Sequence, residues 1–263
     1  MAVAIAIAFA VPLVVVAVAA TRPPGTSVLQ GADWLRAPAQ LEGFRVAAGL
    51  IDLPTLFTNS LVVVALAVPV TVMLASLAGT AVALATGGAR RVLVATAALV
   101  LVTPASVLWV PRVVLARRLG LADQVPTVAS PALMATSATF VVLLALAAHR
   151  IPRSLIDAAR LEGLSTWRTW WTIVVPLTRG PLVAVAVLAF AIRWADLVEP
   201  QLLLSSPDRR TLALGLAALQ TVEISQFPVA LSAAVVATIP PALVFAFGAR
   251  WLLSDLEGRG FRR

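Results

Sequence analysis

The chain contains no cysteine, no lysine and a single histidine, His149. Without cysteine there are no disulfides, no thiol chemistry and no cysteine-ligated metal. Without lysine, a phosphate-cradling P-loop lacks the ammonium it places on the β- and γ-phosphates, so ATP hydrolysis by that route is excluded for this chain. One histidine rules out a histidine-rich metal site within the chain and the HExxH motif of zinc proteases, and no Gly-x-Ser-x-Gly elbow is present. Charge is scarce too. Only 12% of the 263 residues are charged, about half the share of a water-soluble domain.

What the chain has in quantity is apolar residues. It is 60% hydrophobic, with a mean hydropathy of +0.98, an excess that means lipid replaces water around much of the surface. A helix crossing the hydrocarbon layer needs about 20 apolar residues. Six runs meet that need, at residues 1–20, 58–86, 92–111, 127–148, 181–204 and 227–253. They predict an all-α integral membrane protein with one transmembrane domain over residues 1–263. The first run lacks the basic n-region and short apolar core of a secretory signal and is expected to be retained as a span. Residues 21–57 read as a long extramembrane loop. Gly87-Gly88-Ala89 reads as a tight turn, and Pro104 interrupts the third run, which ends near Pro111. The Ser and Thr within the runs, Ser76, Thr96 and Thr103 among them, suit helix–helix contacts, and His149 suits a helix end at the interface.

The formal charge of +8 is carried by 20 arginines against 12 acids. With the first end inside, the cytoplasmic segments hold 11 arginines and four acids, and everything else holds nine and eight. This arginine bias puts both termini in the cytoplasm; it is a topology signal and not the footprint of nucleic acid. The cluster Arg112, Arg117 and Arg118 falls on the outer side, in a short polar excursion.

The longest charged segment of the second half lies between the fourth and fifth runs, at residues 150–180. It reads as two short helices with a bend. Ser154-Leu155-Ile156-Asp157 matches a capping box. Ala158 and Ala159 are small enough to let another surface approach closely. Gly163 supplies the left-handed conformation that ends a helix. A second helix starts at Ser165 or Thr166 and runs to Val175, before Pro176, with Trp167, Trp170 and Trp171 suited to the headgroup level.

Asp157-Ala158-Ala159, Gly163 and Ile173 through Pro176-Leu177 to Pro181 resemble the cytoplasmic EAA loop of ABC importer permeases. Asn59-Ser60, Trp194-Ala195-Asp196-Leu197, residues 200–204, residues 211–216 and Pro240 with residues 245–252 are similar to the carbohydrate-uptake permeases of the maltose-transporter type, the shorter of the two in particular. Asp157 stands where that family has glutamate, Glu162 where it has aspartate and Ala195 where it has asparagine, and only Gly258 and Gly260 represent its glycine-rich tail. The resemblance implies a six-transmembrane-helix permease bundle with a cytoplasmic coupling helix, and import of a sugar or sugar-like solute across the plasma (inner) membrane. It further implies that Asp157, Ala158, Ala159, Leu161, Glu162 and Gly163 couple to the ATPase. The implied partners are a second permease subunit, two ATP-binding-cassette ATPase subunits and an extracytoplasmic solute-binding protein. No catalytic residue, metal or cofactor is implied for this chain, since ATP and magnesium would be held by the ATPases.

Charges inside a hydrophobic run normally face a bundle interior or a water path. Arg193, Asp196 and Glu199 fall three apart in the fifth run, which on a continuous helix puts them along one face. One reading has Trp194, Asp196, Glu199 and Gln201 lining a sugar path, with an indole face for CH groups and carboxylates for hydroxyls; the other has Arg193 and Asp196 as an internal ion pair. A permease for amino acids, peptides or phosphonates shares the same mechanism. A stand-alone secondary transporter would instead need a chain of intramembrane acids and no docking loop.

Overall fold

The computed structural model describes residues 2–26, 38–133, 137–219 and 226–260; Asp33, Arg36, Arg262 and Arg263 lie outside the described residues. Among the described residues the chain is helical and contains no strand. Its helices are α1 (Ala2–Ala20), α2 (Glu42–Leu50), α3 (Leu53–Leu84), α4 (Gly87–Val102), α5 (Trp109–Arg118), α6 (Ala138–His149), α7 (Arg153–Leu161), α8 (Thr166–Leu177), α9 (Arg179–Trp194), α10 (Val198–Leu203), α11 (Leu212–Ala218) and α12 (Phe227–Gly260). Short 3₁₀ turns occupy Ala105–Leu108, Val125–Ala132 and Pro207–Arg209.

Two helices, Leu53–Leu84 and Phe227–Trp251, are long and apolar enough to cross a membrane unbroken. Three further apolar pairs are sharply bent: α4 with Ala105–Arg118 at 92°, α6 with α7 at 80°, and α8 with α9 at 85°. The straight runs expected from hydropathy are corrected accordingly. The third run breaks at Thr103 and Pro104 and resumes helically through Pro111 to Arg118. Pro111 sits in the first turn of α5, where a missing N–H leaves no helical bond unmade. The expected polar excursion at Arg112, Arg117 and Arg118 is therefore helix, closed by Gly120 at φ +69. The fourth run is not one helix either; Pro126 and Pro131 hold its first part as a 3₁₀ turn, and α6 begins only at Ala138. Gly87 does adopt a left-handed φ of +57, yet Gly87-Gly88-Ala89 opens α4 instead of forming a separate turn. Residues 21–57 are not all loop, because α2 lies within them and α3 starts at Leu53.

The chain divides into two compact units, Met1–Val62 with Asp196–Ala242, and Val63–Ala195 with Leu243–Arg263. Small residues set the packing of the first. Gly43 and Ala47, four apart on α2, are buried, and Ala47 joins Leu219, Val229 and Ala233 in one apolar cluster. A Cβ on Gly43 would lie 2.7 Å from Ser232 Oγ. That hydroxyl, fully buried, is 2.8 Å from the carbonyls of both Ala20 and Pro228, and its one proton serves them in turn.

In the second unit, α3 meets α6 at Gly79, where an added Cβ would lie 2.7 Å from the Ala145 nitrogen and 2.9 Å from backbone atoms of Leu144 and Val141. Such approach through small residues is how helices associate where lipid gives no hydrophobic drive. Ala75, Phe140, Leu144, Val185 and Ala189 then close α3, α6 and α9 around one core. A second core joins Ala83, Ala148, Ile151, Ile156, Trp170 and Val174. Thr96 and Thr103 bond the carbonyls four residues back in the chain, Val92 and Leu99.

Candidate functional site

The segment between α6 and α9 is built by local chemistry. Helix α6 ends at His149, which is exposed. Pro152, at φ −58 and ψ 130, is extended and turns the chain into α7. The capping box expected at Ser154 does not form. Helix α7 starts two residues earlier than that cap would set it, at Arg153, with Pro152 at the cap position and no side-chain cap. Ser154 therefore sits inside the first turn, and Asp157 lies 3.6 Å from Arg160 on an exposed surface, a pair worth about 0.5 kcal/mol at most.

The end of α7 does follow the sequence. Gly163 takes φ +79, its N–H bonds the Arg160 carbonyl, and the Leu164 N–H bonds the Ala159 carbonyl, each at 3.0 Å. This is the paired Schellman closure that glycine permits. Ser165 then caps the next helix, its Oγ accepting from the Arg168 N–H at 3.3 Å.

The two faces of α7 differ. Ile156 and Ala159 are buried in the chain's own core, while Leu155, Asp157, Ala158, Arg160, Glu162 and Gly163 are exposed. Leu161 is 90% exposed, an uncovered apolar side chain at the helix end. Of the expected small-residue pair, Ala158 alone is open to a visitor.

Helix α8 does not stop before Pro176 as expected; it continues to Leu177. A regular helix would set the proline ring against the carbonyl four residues back. Trp170–Val174 instead form a π-turn in which the Val175 N–H reaches the Trp170 carbonyl, five residues back. The widened turn accommodates the ring. Trp167 and Trp171 are exposed, but Trp170 is buried. Its Nε1–H donates to Ser76 Oγ at 3.0 Å, so this indole is not at a headgroup surface.

The fifth run breaks where its charges lie. Helix α9 ends at Trp194, which is buried and stacked on Phe190, centroids 5.5 Å apart. The Asp196 carboxylate accepts from the Val198 N–H at 3.1 Å and the Glu199 N–H at 3.3 Å, so it caps α10. Arg193, Asp196 and Glu199 thus do not share one helix face. Glu199 is buried and Gln201 exposed.

Asn59 and Ser60 have a role that residue spacing does not reveal. Asn59 Nδ2 donates to the carbonyls of Asp208 and Arg210, each at 2.9 Å, and Ser60 Oγ accepts the buried Leu212 N–H at 2.8 Å. The start of α3 thereby holds the turn that leads into α11. Asn59→Asp removes the donor and aims an acid at two carbonyls. It is expected to lower the melting temperature in detergent more than Asn59→Ala, which forfeits about 1 kcal/mol per bond. Equal melting of the two variants would count against this clamp.

Among the described residues no group of three or more His, Asp or Glu is placed to hold a metal ion.

The family model for binding-protein-dependent transport system inner membrane components matches residues 1–257. The lactose transport system permease protein LacG of Rhizobium radiobacter is 27% identical over 208 residues, covering 79% of this chain and 76% of that one. The arabinooligosaccharides transport system permease protein AraQ of Halalkalibacterium halodurans is 28% identical over 208 residues, covering 79% and 74%. The solved structure of a bacterial ABC transporter involved in the import of the acidic polysaccharide alginate matches 94% of this chain and 91% of its own. Its TM-score is 0.76 at 20% identity, a shared fold. A multi-pass membrane protein with this match belongs to the family of binding-protein-dependent transport system inner membrane components.

Proposed function

We propose that this chain is one of two permease subunits of an ATP-driven importer that carries a sugar or sugar-like solute inward across the plasma membrane. The single domain crosses the membrane six times, with α1, α3, α4, α6, α9 and α12 as the helices of the spans, the segment from α7 through α8 on the cytoplasmic side and both termini in the cytoplasm. Helix α7 is the coupling helix. It docks on a separate ATPase subunit through Leu161, Ala158, Asp157, Glu162 and the turn at Gly163, and Ala159 backs it from within. Two such ATPases hold ATP and magnesium; a second permease completes the pathway, and an extracytoplasmic binding protein delivers the cargo. Asp196, Glu199 and Gln201 serve the solute path, with Trp194 positioned by its stack on Phe190.

The observation that carries the coupling role is the exposed end of α7: an apolar Leu161 at 90% exposure beside a glycine-closed turn. The cargo class is supported by the two relatives whose names specify lactose and arabinooligosaccharides. A helix this short buries far less than the roughly 1,600 Å² of a stable interface, so the flanking turns share the contact.

The chain has no cysteine, so Leu161→Cys introduces the one thiol in the permease. In a complex purified through a tag on this chain, a short thiol–amine crosslinker is expected to join that thiol to an ATPase. The co-purified binding protein is expected to yield a carbohydrate by mass spectrometry. An ATPase-containing complex that never crosslinks would refute the docking, and a bound amino acid or peptide would refute the cargo.

A further inference from the structure

One polar bond of the second unit lies buried where the docking segment meets the membrane helices. Trp170 opens the π-turn of α8, and Ser76 lies within α3, 94 residues earlier. The indole is 5% exposed and Ser76 3%, so each group's partner in the folded state is the other; neither has water to replace it. The ring itself packs in the cluster that holds Ile156 from α7, Ala148 from α6 and Ala83 from α3. One side chain therefore shares a core with the inward face of the docking helix and bonds a transmembrane helix. Trp167 and Trp171 stay exposed, so of these three indoles Trp170 is the one that faces inward.

We propose that Trp170 is the positioning residue that makes α7 and α3 a single rigid lever, with the Nε1–H to Ser76 Oγ bond as its fixed joint. The inference rests on the reading of α7 as the coupling helix. An ATPase that displaces α7 pushes on Ile156 and on the close-packed core that Ile156 shares with the indole. Apolar packing alone lets the ring slide along α3, because dispersion contacts have no preferred direction. The directional bond to Ser76 removes that freedom, so displacement at the docking surface becomes displacement of α3.

The absence of native cysteine allows two spin labels to be placed at Ser154→Cys on α7 and Met73→Cys on α3, both exposed positions. Their distance distribution is read in the ATPase-bound complex, without nucleotide and with ATP plus vanadate. The parent is expected to give one narrow distribution, unchanged between the two states. Trp170→Phe, which keeps an aromatic ring but no N–H, and the gentler Ser76→Ala are each expected to broaden it about twofold and make it nucleotide-dependent. Ser76→Thr, which keeps the hydroxyl, is expected to restore the narrow form. Because both substitutions remove the same bond, the double variant is expected to be no broader than either single one. Distributions that stay narrow in both single variants overturn the lever, as does a double variant that broadens by the sum of the two. A complex in which Leu161→Cys never crosslinks refutes the docking reading and the lever with it. A complex that crosslinks and still stays narrow refutes the lever alone.

Discussion

Gly163→Pro is expected to leave the protein in the membrane and reduce ATP-driven uptake to background, with Gly163→Asn near normal and Gly163→Ala between them. The ranking follows from the backbone. Gly163 sits at φ +79 with nothing within 4 Å of the position a Cβ would take, so the effect of substitution is conformational and not steric crowding. Asparagine enters the left-handed region more readily than other non-glycine residues, and alanine costs about 1–2 kcal/mol there. Proline is fixed near φ −65° and disfavours the near-helical conformation of Glu162 before it, at φ −75 and ψ 0. It also removes the N–H that bonds the Arg160 carbonyl, and the re-aimed chain forfeits the Leu164 bond to Ala159. The end of α7 and the entry to α8 are thereby redirected, while the apolar helices that fix insertion are untouched. Uptake of the receptor's ligand and ATPase co-purification are read together. Normal uptake in Gly163→Pro would show that this loop is not the coupler.

Local chemistry explains which parts of this site were legible in the sequence. Gly163 and Ser165 act on atoms within five residues of themselves, so the helix stop and the next cap could be read directly. The misplaced cap at Ser154 shows the limit of that reading, because Pro152 supplies an extended cap two positions earlier and the carboxylate of Asp157 turns to Arg160 instead. Which of two adjacent alanines faces inward depends on the core that Ile156 joins, and that core draws on α3, α6 and α8. The same holds for three tryptophans within five residues, of which only Trp170 finds Ser76.

Span boundaries failed for a related reason. Hydropathy averages over a window and does not register a single backbone event. Asp196 capping α10, or Pro104 parting two helices, breaks a run without changing its apolar content. The family resemblance marked Asn59-Ser60 as a pair, but its hydrogen bonds reach residues about 150 positions away, beyond any local pattern. Each of the six runs nonetheless contains α-helix among the described residues, since apolar length is the property that the bilayer selects.

Two helical glycines test how far this packing rests on close backbone approach. Gly79→Ala on α3 is expected to lower the melting temperature in detergent, and Gly49→Ala on α2 to leave it unchanged or raise it. In a helix interior the change from glycine to alanine is itself favourable by about 1 kcal/mol. At Gly49, the last residue but one of α2 and exposed with nothing within 4 Å, a smaller part of that gain stands alone. At Gly79 the new methyl would meet the Ala145 nitrogen at 2.7 Å, the Leu144 carbonyl carbon at 2.9 Å and the Val141 oxygen at 2.9 Å. These atoms belong to the backbone of α6 and have no rotamer to escape into. The helices must separate, and the dispersion contacts of Ala75, Phe140 and Leu144 weaken together. Overpacking of this kind costs about 1–3 kcal/mol, with rigid backbone at the upper end, which outweighs the propensity gain. Gly79→Val adds bulk at the same point and is expected to prevent recovery of folded protein. If Gly79→Ala matched Gly49→Ala in melting, α3 and α6 would not be in the contact described.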